Sequence, residues 1–177
     1  MATFTERMIG AASLDVRTYE EVEADQQATG QAIAVVVLAS VAGGIGSWRL
    51  GVFGPGGLIL GSIGALVLWA AWAVLTCVIG TRLLPESQTR ANVSELMRTL
   101  GFAAAPGVLR ILGVIPLLGR FVYLATSVWM LATMVVAVRQ ALDYTSTARA
   151  IGVCLVGWLL VAIIAAVLGV AFAPTVS

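Results

Sequence analysis

The chain has 177 residues, of which 60% are hydrophobic and 11% are charged, and its mean hydropathy is +1.01. A soluble globular domain does not sustain such a composition, so the sequence predicts a membrane protein with no room for a separate soluble domain. The net charge of +1 and the absence of histidine argue against nucleic-acid binding and against the commonest general base and metal ligand.

The two cysteines, Cys77 and Cys154, lie inside apolar stretches. A thiol in such surroundings stays protonated and unreactive, so neither a disulfide nor a metal site is expected. We also expect no cofactor and no enzymatic activity, because the usual catalytic combinations of side chains are missing.

Residues 1–29 are polar and acidic and lack the features of a secretory signal. Phe4, Met8 and Ala12 recur at helical spacing, which predicts a short amphipathic helix. It either lies on the membrane surface or packs against the bundle, and the pattern does not choose between them. Thr18 and Glu21 have capping-box spacing, which predicts a second helix that starts there and continues into the first span.

Five apolar stretches follow, each suited in length to crossing a bilayer core about 30 Å thick. The predicted spans are 30–48, 57–84, 99–118, 121–138 and 150–173. The predicted fold is therefore all-α: a polytopic transmembrane bundle of about five spans over residues 30–177, preceded by a cytoplasmic segment, 1–29.

Glycine and proline residues mark special positions in these spans. Gly57 and Gly61 form a small-xxx-small pair, for which packing inside the monomer and homodimerisation are both open interpretations. Pro106 predicts a kink in the third span, and Pro116 predicts a break at its end.

Arg110 is the only ionisable residue well inside a predicted span. A charge there costs at least ~2.5 kcal/mol unless it is paired or reaches water, which makes Arg110 a candidate functional residue. The alternative is structural, with the long side chain extending to the external interface. No Asp or Glu lies within the predicted spans, so neither a proton relay nor a cation site is visible.

Arginines outside the span interiors are divided unequally between the two sides of a five-span protein. Seven share one side and two lie on the other, namely Arg7, Arg17, Arg82, Arg90, Arg98, Arg139 and Arg149 against Arg49 and Arg120. The positive-inside rule then predicts a multi-pass protein of the cell (inner) membrane with a cytoplasmic N-terminus.

The third to fifth spans carry a recognisable order of motifs. It consists of Pro106, then LRILGVIPLLG, VWMLATMVVAVRQAL and STARAI, which leads into a long apolar helix. This order resembles the Yip domain family of five-span membrane proteins, over about residues 30–170, and TYEEVEADQQATGQA resembles its bacterial members. The resemblance implies five spans, a cytoplasmic N-terminus and no established enzymatic activity.

Eukaryotic members of that family act in vesicle traffic and associate with Rab-type GTPases. They have a longer cytoplasmic N-terminal region than this chain, so GTPase binding is not expected.

Three functions are compatible with the sequence. The first is a non-enzymatic organiser that binds other membrane proteins, or itself, through helix packing within the lipid bilayer. The second is a small-solute channel or transporter with Arg110 near its path. The third is an accessory subunit of a larger membrane complex.

Overall fold

A computed structural model of the chain describes residues 2–47 and 55–171, with side chains described in 2–47 and 57–163. In these residues the fold is all-α, as predicted. The helices are α1 (Phe4–Ala12), α2 (Val16–Ala24), α3 (Ala28–Gly46), α4 (Pro55–Val78), a π-helical turn (Ile79–Leu83), α5 (Val93–Ala103), a 3₁₀ helix (Ala105–Val114), α6 (Gly119–Ala141) and α7 (Thr147–Ala171).

Four helical stretches of the described chain are long and apolar enough to cross a membrane. They are Ala28–Gly46, Gly57–Leu83, Val93–Val114 and Gly119–Ala141. A fifth apolar stretch, Thr147–Ile163, is shorter over its described side chains. Trp48 and Arg49, at the end of the first predicted span, and residues 172–173 of the last lie outside the described residues.

The third stretch differs most from its predicted bounds, because it begins at Val93 rather than at residue 99. Asn92 is the N-cap: its side chain accepts a hydrogen bond from the backbone nitrogen of Glu95 at 3.0 Å. The Glu95 carboxylate accepts one from the backbone nitrogen of Asn92 at 2.9 Å. This capping box starts the helix inside the polar segment that precedes the predicted span.

Pro106 lies at the change from α5 to the 3₁₀ helix. Gly107 donates its backbone hydrogen bond to Ala104 instead of to Ala103, as the tighter helix requires. The Thr133 hydroxyl of α6 donates to the freed carbonyl oxygen of Ala103 at 2.7 Å. A neighbouring helix thus satisfies the backbone group that the change of helix type exposes.

The 3₁₀ helix ends before Pro116. Ile115 is extended, with φ −73° and ψ 122°, and Leu117 has a φ of 72°. Residues 115–118 form the connection to α6.

The amphipathic α1 packs against the bundle, which is one of the two arrangements left open by its sequence. Its Phe4 ring meets Phe102 of α5 edge-on, with ring centroids 6.4 Å apart. The Trp129 indole nitrogen of α6 donates to the carbonyl oxygen of Ala12 at 2.7 Å. Ile9, on another face of α1, remains 62% exposed.

The predicted start of α2 at Thr18 is wrong. The helix begins at Val16, and Asp15 is its N-cap, with a carboxylate that accepts from the backbone nitrogen of Arg17 at 3.2 Å. Thr18 itself donates its hydroxyl to Asp15 at 2.9 Å. Asp15, three residues earlier, is therefore the cap. Nor does α2 continue into the first span, because it ends at Ala24.

Two buried arginines connect the N-terminal helices to the bundle. The Arg7 side chain binds Glu21 and Asp25, each at 2.8 Å, and Gln31 of α3 at 3.0 Å. These hydrogen bonds lower the pKa of both carboxyl groups. Arg98 of α5, which is 4% exposed, donates to the carbonyl oxygens at the end of α2.

Candidate functional site: a cavity beside Arg110

The 3₁₀ geometry determines which way Arg110 faces. With three residues per turn, Gly107, Arg110 and Gly113 lie on one face of the helix. A Cβ added at Gly107 would lie 3.0 Å from Ala39 of α3, and one added at Gly113 would lie 3.1 Å from the Tyr123 ring of α6. This face is therefore held between α3 and α6, and Arg110 lies between its two glycines.

The partners of the Arg110 guanidinium are neutral groups of α6. Its Nε donates to the Thr126 hydroxyl at 3.3 Å, and an Nη donates to the Ser127 hydroxyl at 3.1 Å. Its central carbon lies 5.4 Å from the centre of the Tyr123 ring, a cation–π contact. Among residues 2–47 and 57–163, no carboxylate forms an ion pair with Arg110.

A cavity of about 370 Å³ opens next to this guanidinium, between α3, α4, α6 and the 3₁₀ helix. Its lining combines one cation, hydroxyl groups, glycines and two apolar side chains. The lining residues are Ala39, Ser40, Gly43, Gly44, Ser47, Gly57, Leu58, Gly61, Arg110 and Tyr123.

Gly57 and Gly61 both line this cavity. A Cβ added at Gly61 would meet no described atom within 4 Å. On this side of α4 the glycine pair therefore leaves space open, and no other helix of the described chain fills it.

The glycines of α3 have the opposite effect, because they allow close contact. A Cβ at Gly46 would collide with the carbonyl group of Arg110, so only glycine permits this approach of α3 to the 3₁₀ helix. The carbonyl oxygen of Gly43 accepts a hydrogen bond from the Tyr123 hydroxyl. Together these contacts fix one wall of the cavity.

A second, more polar cavity of about 380 Å³ lies between the end of α2 and the start of α5. Glu23, Asn92, Glu95 and Arg98 are among its lining residues. Burial, with a smaller effect from the negative charges of Asp143 and Glu95, raises the pKa of the Glu23 carboxyl to about 7. This group therefore titrates near neutral pH.

The residues singled out from the sequence have different positions in the structure. Arg110, Gly57 and Gly61 meet at the first cavity, Pro106 lies at the helix change, and Pro116 lies in the connection to α6. The sequence reasoning did not find Tyr123, Thr126 and Ser127, although their spacing of three and four residues places them on one face of α6. Polar groups in that pattern within an apolar helix are the signal that was available.

Guanidinium and hydroxyl groups bind anions, whereas metal cations prefer carboxylate, imidazole or thiolate ligands. The first cavity is accordingly suited to an anionic group. Comparison of the chain with protein-family models, with curated proteins and with solved structures finds no significant match.

Proposed function

We propose that this protein crosses the inner membrane five times, with its N-terminus in the cytoplasm, and organises other membrane proteins through helix packing without catalysis. Its apolar helices and the distribution of its arginines support this topology. The motif order of the third to fifth spans supports a relationship to the bacterial Yip-like proteins.

The outward face of α4 is the surface that we expect to bind a partner helix. Leu60, Gly64 and Leu68 follow one another at intervals of four residues, so they lie on one face. The leucines are 72% and 70% exposed, and a Cβ added at Gly64 would meet no described atom within 4 Å. A glycine notch between two exposed leucines is a shape into which a partner helix packs closely in a membrane.

Photocrosslinking in native membranes tests this function. A photoreactive amino acid placed at Leu68 is expected to form discrete adducts with another membrane protein, or with a second copy, identifiable by mass spectrometry. Gly64→Leu fills the notch and is expected to abolish those adducts. The matched control is the same probe at Phe121 of α6, whose exposure of 72% is close to the 70% of Leu68. Lipid adducts alone at Leu68, or identical adducts at both positions, would contradict the proposal.

A second candidate function, a path for a small solute past Arg110, is supported by the cavity beside that residue. Flux into proteoliposomes tests it. Arg110→Leu is expected to slow the entry of an anionic solute. If a solute enters vesicles that contain the protein no faster than it enters empty vesicles, transport of that solute is excluded.

A further inference from the structure

We propose that the cavity beside Arg110 binds the phosphate group of an anionic amphiphile. This inference goes beyond the helix-packing function and does not depend on it, because it rests on Arg110 and on a cavity that α3, α4, α6 and the 3₁₀ helix form among themselves.

The charge of Arg110 is the first reason. Its described partners are two hydroxyl groups and an aromatic ring, which satisfy some of its N–H groups but carry no negative charge. A guanidinium has five N–H donors, and those not bonded to Thr126 or Ser127 have no acceptor among the described groups. An arginine within an apolar helix is costly unless it is paired or reaches water, so an anion that pairs with Arg110 is favoured at this position.

The space in front of Arg110 is the second reason. About 370 Å³ is enough to hold a phosphate group and part of the molecule that carries it. Gly57 and Gly61 line the cavity from α4, and a Cβ added at Gly61 would meet no described atom within 4 Å, so a ligand can approach the backbone there closely. Among the described residues that line the cavity none is acidic, so a cation would meet the repulsion of Arg110 without a carboxylate to offset it.

The surroundings of the cavity indicate an amphiphile. Leu109 and Ile111, on either side of Arg110 in the 3₁₀ helix, are 41% and 46% exposed. Leu58 lines the cavity, and the next residue along α4, Ile59, is 66% exposed. A ligand with its phosphate at Arg110 can thus place acyl chains against apolar surface that faces lipid. Phosphate suits the planar guanidinium because two of its oxygens accept parallel hydrogen bonds.

Native mass spectrometry of the full chain tests the inference. The protein is released from nanodiscs made of phosphatidylglycerol and phosphatidylcholine in equal amounts, and the phospholipid retained by each monomer is measured. We expect wild type to retain phosphatidylglycerol selectively. Arg110→Gln is expected to reduce this retention at least ~10-fold, as the loss of one charged hydrogen-bonding partner predicts.

Further variants separate a binding site from a general effect on the fold. Gly61→Leu keeps Arg110 but fills the cavity, and it should also lose the lipid, whereas Arg110→Lys should retain an intermediate amount. Two controls should bind as wild type does: Arg90→Gln, which removes an exposed arginine, and Gly30→Leu, which adds the same side chain where a Cβ has open space.

The source of the phosphate is resolved by adding inorganic phosphate to the same samples. If phosphate binds in a way that depends on Arg110 and no lipid is retained, the cavity is an anion site whose ligand comes from the aqueous phase. Equal retention by wild type, Arg110→Gln and Gly61→Leu would overturn the inference, as would binding of neither lipid nor phosphate by wild type.

Discussion

The indole nitrogen of Trp129 donates a hydrogen bond to the carbonyl oxygen of Ala12, 2.7 Å away. Trp129 lies near the middle of α6, whereas Ala12 is the last residue of α1. This bond thus connects the amphipathic α1 to the middle of α6, and not to one of its ends.

We expect Trp129→Phe to loosen α1 without unfolding the bundle. The substitution keeps an aromatic ring but removes the indole N–H that donates to Ala12, and the loss of this hydrogen bond should reduce stability by about 1 kcal/mol. Hydrogen exchange should become faster in α1 and α2 and stay unchanged in α3. Unchanged exchange throughout the chain would show that this bond contributes nothing to docking.

Arg98→Met should strongly destabilise the attachment of α2. The side chain of Arg98 donates to the carbonyl oxygens of Val22 and Glu23 at the end of that helix, and its removal leaves them without a charged donor. We expect a loss of about 2 kcal/mol, measured by denaturation in detergent. Arg90→Met, at an exposed position, is the control and should change stability by less than about 0.5 kcal/mol. Equal effects of the two substitutions would contradict this role of Arg98.

Thr133 and Thr99, which are both fully buried, should respond differently to substitution by valine. The Thr133 hydroxyl donates to the carbonyl oxygen of Ala103 in another helix, and that oxygen has lost its α-helical hydrogen bond. The Thr99 hydroxyl, in contrast, bonds only carbonyl oxygens of its own helix. We expect Thr133→Val to cost about 1–3 kcal/mol and Thr99→Val much less. The thermal unfolding midpoints of the two purified variants provide the measurement, and a reversed order would show that the 3₁₀ junction does not need this hydroxyl.

Glu23 should make stability depend on pH. Its pKa is about 7 in the folded chain and 4.5 in the ordinary case, so the folded chain holds this proton more tightly. The contribution of Glu23 to stability is therefore full below pH 4.5 and decreases as the pH rises to about 7.

Glu23→Gln should remove that dependence and stabilise the protein at pH 8 by about 1 kcal/mol, after allowance for solvent screening. Unfolding midpoints of wild type and variant, compared from pH 5 to pH 8 (about the range in which the group titrates), test this. Parallel pH curves would show that Glu23 titrates normally.

Two glycines of α3 offer a matched test of close contact. Gly46→Ala should destabilise the protein by about 1–3 kcal/mol, because its Cβ meets the backbone carbonyl group of Arg110 and neither side can yield easily. Gly30→Ala places the same methyl group in open space and should be neutral or stabilising. Similar midpoints for both variants would mean that α3 and the 3₁₀ helix do not need their close approach.

The apolarity and length of the hydrophobic stretches were sufficient to predict an all-α fold with long apolar helices, because both properties can be read from consecutive residues. Asn92 and Glu95 also have capping-box spacing, but they lie in a polar segment, so apolarity alone places the start of the third span at residue 99, after its cap. Capping signals were likewise misassigned at Thr18, where Asp15 competes more strongly for the same role.

The surroundings of Arg110 depend on tertiary structure and were not predictable from the sequence. Its partners are 16 and 17 residues further along the chain, in a different helix. Gly57 and Gly61 have the spacing of a packing motif, but whether that face is filled or empty depends on where α3 and α6 lie. The burial of Arg98 likewise follows from the docking of α2, which apolarity does not indicate.

The ten-residue 3₁₀ helix gives the charge of Arg110 a direction that depends on hydrogen-bond register. Successive side chains turn by about 120° in a 3₁₀ helix and by about 100° in an α-helix. If residues 105–110 were α-helical, Arg110 would be rotated by about 100° from its present direction. The guanidinium would then leave the face that Gly107 and Gly113 share. The same sequence thus holds its positive charge towards the cavity only while each of these turns contains three residues.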